Sequence, residues 1–334
     1  MTATGAPLLE VDGLRKYFDI TRGLLARKVG EVKAVDDVSF TVNSHEVLGL
    51  AGESGSGKTT IGRAVLRLIE PTAGRVVFDG VDVTALDRGA LRQFRRRMQI
   101  IFQDPLAALN PQMTIGEILG EPLILQRICR SAAERHDRAV ELLESVALSG
   151  DYITRRPSDM SGGQRQRIVI ARALAVGPQF IVADEPVSAL DVSIQAQIIA
   201  LLEELKERLG LSMLFISHDL ATMEYLADRI AVLYLGRIME IGPSTEVCGN
   251  PQHPYTEMLI SAVPEPDPER RRRRIVPAGE IPSAAAPPSG CVFRTRCPHA
   301  IAECAAAVPP LRKVGDDHYA ACIRHEELVA SAAG

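Results

Sequence analysis

Short apolar runs alternate with longer segments of mixed polarity along most of this chain. Val47-Leu48-Gly49-Leu50-Ala51 is an unbroken apolar run that stops at a glycine-rich loop, and Thr60 to Leu68 behind the loop has helical character. Phe180 to Ala183 and Met213 to Ile216 are further runs of the kind that buried parallel strands show. Between them, Val192 to Leu209 reads as an amphipathic helix. Strands that alternate with helices predict an α/β core with a largely parallel sheet. Two stretches depart from this rhythm. Residues 8–50 read as short strands with turns, and from Leu91 to Asp159 helical segments such as Ala132 to Leu148 dominate. A loop rich in Pro, Asn and Gln, Gln103 to Met113, lies early in that second stretch.

The pattern shifts again near Asn250, where Pro-rich segments and the run Arg270 to Arg274 lead into a cysteine-bearing tail. A boundary near residue 250 is expected. The arginines read as a solvated linker, with a contact to lipid headgroups or a partner protein as the alternative. At 334 residues the chain has room for one large domain plus an appendage, or for two domains. The formal net charge of -4 gives no global basic footprint, which argues against nucleic acid as a partner. Charged residues interrupt the longest apolar stretches, so no run spans a bilayer. Met1 to Leu9 lacks a basic region followed by a long apolar core, which predicts no secretory signal. A cytoplasmic chain follows, in which six cysteines are expected to bind metal or sit buried rather than form disulfides.

The loop behind the first apolar run carries the chemistry. Gly52-Glu53-Ser54-Gly55-Ser56-Gly57-Lys58-Thr59 fits G-x-x-x-x-G-K-[ST] in full, in the strand–loop–helix order this motif requires. Such glycines let backbone N–H groups wrap phosphates, and the following helix N-terminus, with Thr60, adds positive potential. Lys58 is expected at the β- and γ-phosphates and the Thr59 hydroxyl on Mg²⁺. Asp184 and Glu185 end the run Phe180 to Ala183, where ligands gather at the carboxyl ends of parallel strands. The aspartate suits Mg²⁺, held through its water shell, and the glutamate suits a general base on the attacking water. Ser161-Gly162-Gly163-Gln164 opens a helix over Arg165 to Val176, and a serine N-cap followed by glycines leaves N–H groups for a phosphate.

These motifs together, in this order, resemble the ATP-binding-cassette (ABC) ATPases over about residues 8 to 250. The resemblance implies a P-loop NTPase (RecA-like) α/β core, an antiparallel β subdomain and an α-helical signature subdomain at about 91–163. It makes Met160-Ser161-Gly162-Gly163-Gln164 the signature, which faces ATP bound by a second protomer. Met160 stands where leucine is commoner, and Val187 where threonine is common. Ser188-Ala189-Leu190-Asp191 matches the D-loop, Gln103 the Q-loop glutamine near Mg²⁺ or the attacking water, and His218 the switch histidine. Phe18 is the best candidate to stack on adenine, with Tyr17 the alternative because strand neighbours face opposite sides.

Narrower features resemble the oligopeptide, dipeptide and nickel importers. They are Phe102-Gln103-Asp104-Pro105-Leu106-Ala107-Ala108-Leu109-Asn110-Pro111, Ala189 to Gln197, and His253-Pro254-Tyr255-Thr256. The implied function is the ATP-hydrolysing subunit of a bacterial importer. It would work at the cytoplasmic face of the membrane with two permease subunits, a substrate-binding protein and a second ATPase subunit, expected to be a paralogue. A soluble ABC ATPase of translation or DNA repair is the alternative, and an exporter subunit a weaker one.

Residues 251–334 are then a small C-terminal extension. Cys291, Cys297, Cys304 and Cys322, spaced C-x5-C-x6-C-x17-C in a Pro-rich segment, imply a bound metal centre where little core is available. Structural Zn²⁺ commonly has a tight cysteine pair, absent here, whereas a [4Fe–4S] cluster needs four thiolates. The importer resemblance implies the cluster, with Zn²⁺ and plain buried thiols as the alternatives. Cys129 and Cys248 are expected to be ordinary buried residues.

Overall fold

In chain order the strands are β1 (Leu9–Arg22), β2 (Arg27–Val42), β3 (Val47–Ala51), β4 (Ala73–Phe78), β5 (Val81–Asp82), β6 (Met98–Ile101), β7 (Phe180–Asp184), β8 (Ser212–Ile216), β9 (Arg229–Tyr234), β10 (Arg237–Pro243), β11 (Arg312–Gly315) and β12 (His318–Ala320). The structure, a computed structural model, describes residues 6–23, 27–263 and 275–332. The Arg270 to Arg274 run lies outside the described residues. The chain divides into two units, one of residues 1–41, 47–84 and 217–334, the other of residues 42–46 and 85–216.

The first unit holds two sets of strands. β1 pairs antiparallel with β4, Leu9 opposite Phe78 and Val11 opposite Val76, and β4 pairs antiparallel with β5. Leu9, Val11, Val76 and Phe78 are all buried, and exposed Glu10 and Asp12 alternate with them, so the period of two sets the face that packs. In the second set β3 lies parallel to β9, with Leu50 opposite Ala231. β10 then pairs antiparallel with β9, β12 with β10, and β11 with β12. Every residue of β3 is buried, which explains its unbroken apolar run. Residues beyond 250 belong to this unit, since β12 adds directly to β10. Buried Glu240 of β10 holds that region, accepting from the backbone N–H groups of Gln252 (2.8 Å) and His253 (2.9 Å), with His318 Nε2 at 2.7 Å.

The second unit carries β6, β7 and β8 in parallel, with Ile101 opposite Ala183 and Ala183 opposite Phe215. All residues of β7 and β8 are buried. The helices Ile115–Leu125, Ala132–Ser145 and Gly162–Leu174 belong to the same unit. Between Leu91 and Asp159 helices and their connecting loops are interrupted by one strand, β6, whose four residues follow three arginines and include a glutamine. A run this short and mixed has no strand periodicity of its own, and pairing with β7 makes it a strand. Among the described residues no helix is long and apolar enough to cross a membrane.

Candidate functional site

β3 delivers the chain into the glycine-rich loop, which the helix Lys58–Val65 follows. Gly57 caps that helix with φ at 106°, and a Cβ there would stand 2.3 Å from the Ala34 carbonyl oxygen, so only glycine fits. Lys58 is 4% exposed. Its Nζ donates to the carbonyls of Gly52 (2.7 Å) and Glu53 (3.0 Å) and to Ser56 Oγ (3.4 Å). Ser54 and Gly55 are exposed at the crest of the loop. A loop closed to side chains at Gly52 and Gly57, with an ammonium folded across it and a helix N-terminus behind, fits a polyphosphate.

Other predicted residues of the first unit surround this loop in sequence and differ in exposure. Tyr17 Oη donates to Asp36 Oδ1 at 2.5 Å, and burial together with that carboxylate pushes the phenol up to about 12. Arg237 also donates to Asp36 (2.6 Å), and despite burial these two partners hold its carboxyl below the usual range. Phe18 is 43% exposed, with Lys16 Nζ 4.9 Å from its ring centroid. Of the two aromatics, Tyr17 is thus engaged within its own unit and Phe18 is the more exposed. The Ser217 N–H donates to the Leu50 carbonyl (3.3 Å), which ties the segment bearing exposed His218 to the strand that feeds the loop. Asp219 is occupied as the N-cap of the helix Leu220–Leu226.

In the second unit, β7 ends at Asp184, 1% exposed, and Glu185 follows with φ at 46°. Left-handed backbone at a glutamate costs about 1 kcal/mol or more and points to a functional constraint. Gln103 Nε2 donates to Glu185 Oε2 at 2.9 Å, so two residues 82 apart in sequence meet. Ser188 donates to the Glu185 carbonyl from both N (3.3 Å) and Oγ (3.1 Å), fixing the turn into the D-loop.

Ser161 caps the helix Gly162–Leu174 in a reciprocal box. Its Oγ accepts from Gln164 N (3.3 Å), and Gln164 Oε1 accepts from Ser161 N (2.9 Å). Gln164 Nε2 donates to Tyr152 Oη (3.3 Å), so this side chain serves the loop's shape. A Cβ on Gly163 would approach Ile194 Cγ2 to 2.6 Å, so the signature packs against the helix that follows the D-loop. Ser161 and Gly162 are exposed, on a surface available to another chain. The same unit carries an apolar groove of about 630 Å³, lined by Met113, Gly116, Gly120, Ile124, Leu125 and Ile153 among others. Ile124 and Leu125 are more than half exposed.

The metal-cluster expectation is overturned. Cys291, Cys297, Cys304 and Cys322 do come together, lining one small cavity of about 20 Å³, and all are free thiols. Yet among the described residues no group of three or more His, Cys, Asp or Glu is arranged to hold a metal ion. Neither [4Fe–4S] nor Zn²⁺ is supported. The cavity has space for about one water. Burial favours the neutral thiol over the thiolate a metal needs, pushing Cys291 up to about 11 and raising Cys297 and Cys322. Cys291 and Cys304 are buried and pack as small apolar groups, with Cys291 N donating to the Cys304 carbonyl at 2.8 Å. Of the remaining cysteines, Cys248 is buried and Cys129 only partly so.

Two residues at the loop went unread in the sequence. Tyr255 and Arg296 both bond to Glu53. In sequence His253-Pro254-Tyr255 marks a resemblance without a role, and nothing distinguishes Arg296 from the other arginines.

The profile of the ABC transporter family matches residues 35–188, and that of the oligopeptide/dipeptide transporter C-terminal region matches residues 239–304. A putative peptide import ATP-binding protein of Brucella ovis is 60% identical over 321 residues, covering 96% of this chain and 99% of that protein. An oligopeptide transport ATP-binding protein of Bacillus subtilis is 48% identical over 318 residues, covering 94% and 96% respectively. Among solved structures, a dimeric ATP-binding cassette in a post-hydrolysis state, bound to ADP and Pi, aligns with a TM-score of 0.63 at 31% identity, covering 71% of this chain and 98% of that one. The cbiO1 chain of Clostridium perfringens, at 22% identity and a TM-score of 0.63 over 73% of this chain and 91% of that one, shares the fold.

Proposed function

The chain belongs to the ABC transporter family, in the branch that carries the oligopeptide/dipeptide C-terminal region, and from that premise we propose that it is the ATP-hydrolysing subunit of a peptide importer. The observation that carries this reading is a complete phosphate loop and a signature helix with a capped, exposed start, in one chain that is 60% identical to a putative peptide import ATP-binding protein over nearly its full length.

The loop's N–H groups and Lys58 take the β- and γ-phosphates of ATP, and Phe18 takes the adenine face. Thr59, Asp184 and Gln103 would hold Mg²⁺ through a hydroxyl, a carboxylate and an amide oxygen, and the bound ion would neutralise phosphate charge. Glu185 accepts the proton of the attacking water, Gln103 orients that carboxylate, and His218 contacts the γ-phosphate. Ser161, Gly162 and Gly163 bind the ATP held by a partner ATPase subunit, a paralogue in the reading we favour. ATP then favours the closed pair through contacts made only in that state. The apolar groove beside Ile124 and Leu125 is the docking surface for one of two permease subunits. A substrate-binding protein on the far side of the membrane supplies the peptide, so this chain works peripherally at the cytoplasmic face.

Co-expression with permease subunits and reconstitution in vesicles tests this. The chain is expected to co-purify with the membrane subunits and to hydrolyse ATP several-fold faster when peptide-loaded binding protein is supplied. ATP turnover that responds to RNA or DNA, and not to peptide, would sink the proposal.

A further inference from the structure

Glu53 places a carboxylate in the phosphate loop itself. The second position of the phosphate loop is chemically open, and a carboxylate there repels the ligand unless its charge is matched. Here it is matched from 243 residues away. Arg296 donates to both oxygens of Glu53, Nη1 to Oε2 at 2.6 Å and Nη2 to Oε1 at 3.1 Å. The arginine side chain is 6% exposed and the glutamate 25%, so this is a shielded, bidentate pair. The backbone of Glu53 is pinned as well. Its N–H donates to Tyr255 Oη at 2.9 Å, and its carbonyl accepts from Lys58 Nζ.

The two C-terminal residues are themselves held rigidly. Tyr234, Tyr255 and Phe293 form a three-ring cluster with centroids 4.8 to 5.3 Å apart, and the Arg296 guanidinium lies 5.7 Å from the Tyr234 ring. Arg296 N donates to the Phe293 carbonyl at 2.9 Å, in the turn that begins at Cys291. All of these residues lie in the first unit.

We propose that Arg296, assisted by Tyr255, is a positioning residue for the nucleotide. It neutralises Glu53 and draws that carboxylate away from the phosphates, so that the loop presents N–H groups and Lys58 to them. The C-terminal region thereby sets the affinity of the phosphate loop. This rests on the reading of the chain as an ATP-binding subunit and adds a residue outside every motif of that reading.

The test is the affinity of the full-length chain for a non-hydrolysable ATP analogue with Mg²⁺, by calorimetry, together with KM and kcat for ATP. Arg296→Ala is expected to weaken binding about tenfold and to raise KM with a smaller change in kcat, as an unpaired carboxylate next to the phosphates requires. Glu53→Gln added to Arg296→Ala is expected to restore most of that affinity, and Arg296→Lys part of it. The double variant separates charge from packing, since a loss of affinity that came from the packing of Arg296 persists when the charge of Glu53 is removed. Unchanged affinity in Arg296→Ala, or a loss that Glu53→Gln leaves in place, overturns the proposal. Should Arg296→Ala fail to fold, Arg296→Lys and Tyr255→Phe are measured instead. A two- to fivefold loss in each supports the clamp, and wild-type affinity in both overturns it. A wild-type chain that binds no ATP overturns the functional reading and the clamp with it, whereas wild-type binding that Arg296→Ala leaves unaltered overturns the clamp alone.

Discussion

Glu185 combines three features that a surface acid does not have together. It sits at φ 46°, directly after a buried aspartate, and it accepts a hydrogen bond from Gln103. The strained backbone aims the carboxylate at one place, and the glutamine fixes its rotamer. Removing the negative charge while keeping the shape isolates its chemistry. Glu185→Gln is expected to bind ATP normally and to lose turnover by about two orders of magnitude or more, the scale of a lost general base. Phosphate release beside analogue binding measures both. Near-normal turnover would remove Glu185 from the base role. Most such residues were legible, because each site motif is a short local string whose chemistry follows from its own residue types. The engagement of Tyr17 rather than Phe18 inside the unit was half legible. Alternation along β1 separates the two faces, but only the Asp36 and Arg237 partners show which ring is engaged inside.

Among the elements, the signature helix shows how one local arrangement serves stability and proposed function together. The reciprocal box at Ser161 satisfies N–H groups that a helix start otherwise leaves open. Ser161→Ala is expected to cost about 1 kcal/mol, read as a lower urea midpoint, and to weaken ATP-driven pairing of the subunits. The helix Pro254–Ser261 is capped differently. His253 Nδ1 accepts from Tyr255 N (3.0 Å), which requires a neutral imidazole nitrogen, and full burial pushes the ring down to about 3. An unfolded histidine titrates near 6.5. Between those values the unfolded chain binds a proton that the folded chain excludes, so stability falls as pH drops from about 6.5 towards 3. Thermal melts across that range are expected to show a shallower pH slope in His253→Asn, which retains an acceptor for the Tyr255 N–H and does not titrate. Equal slopes would show that the ring does not carry the effect.

Across the whole molecule, the chain has the ABC ATPase cassette fold, and much of that was readable from local pattern. The all-apolar runs of β3, β7 and β8 announced buried parallel strands, because a strand covered on both faces needs no alternation. The phosphate loop, the acids at the end of β7 and the signature were readable for the same reason. Each is contiguous, and its function depends on backbone geometry that a handful of neighbouring residues dictates. β6 was not readable, since its partner makes it a strand. The fate of the four cysteines was not readable either. Their spacing fits a metal site, while cavity size and burial, which no spacing encodes, leave free thiols with no metal geometry among the described residues. The pairing of Arg296 with Glu53 belongs to the same class. Two charges 243 residues apart have no mutual signal in sequence, and they meet because the turn at Cys291, the three-ring cluster and the phosphate loop fold onto one another within the first unit. Sequence by itself determined the chemistry of the short motifs, because local backbone preferences are set by neighbouring residues. Tertiary structure alone decided which distant side chains neutralise, pin or bury one another, because burial and charge pairing depend on distance through space and not along the chain.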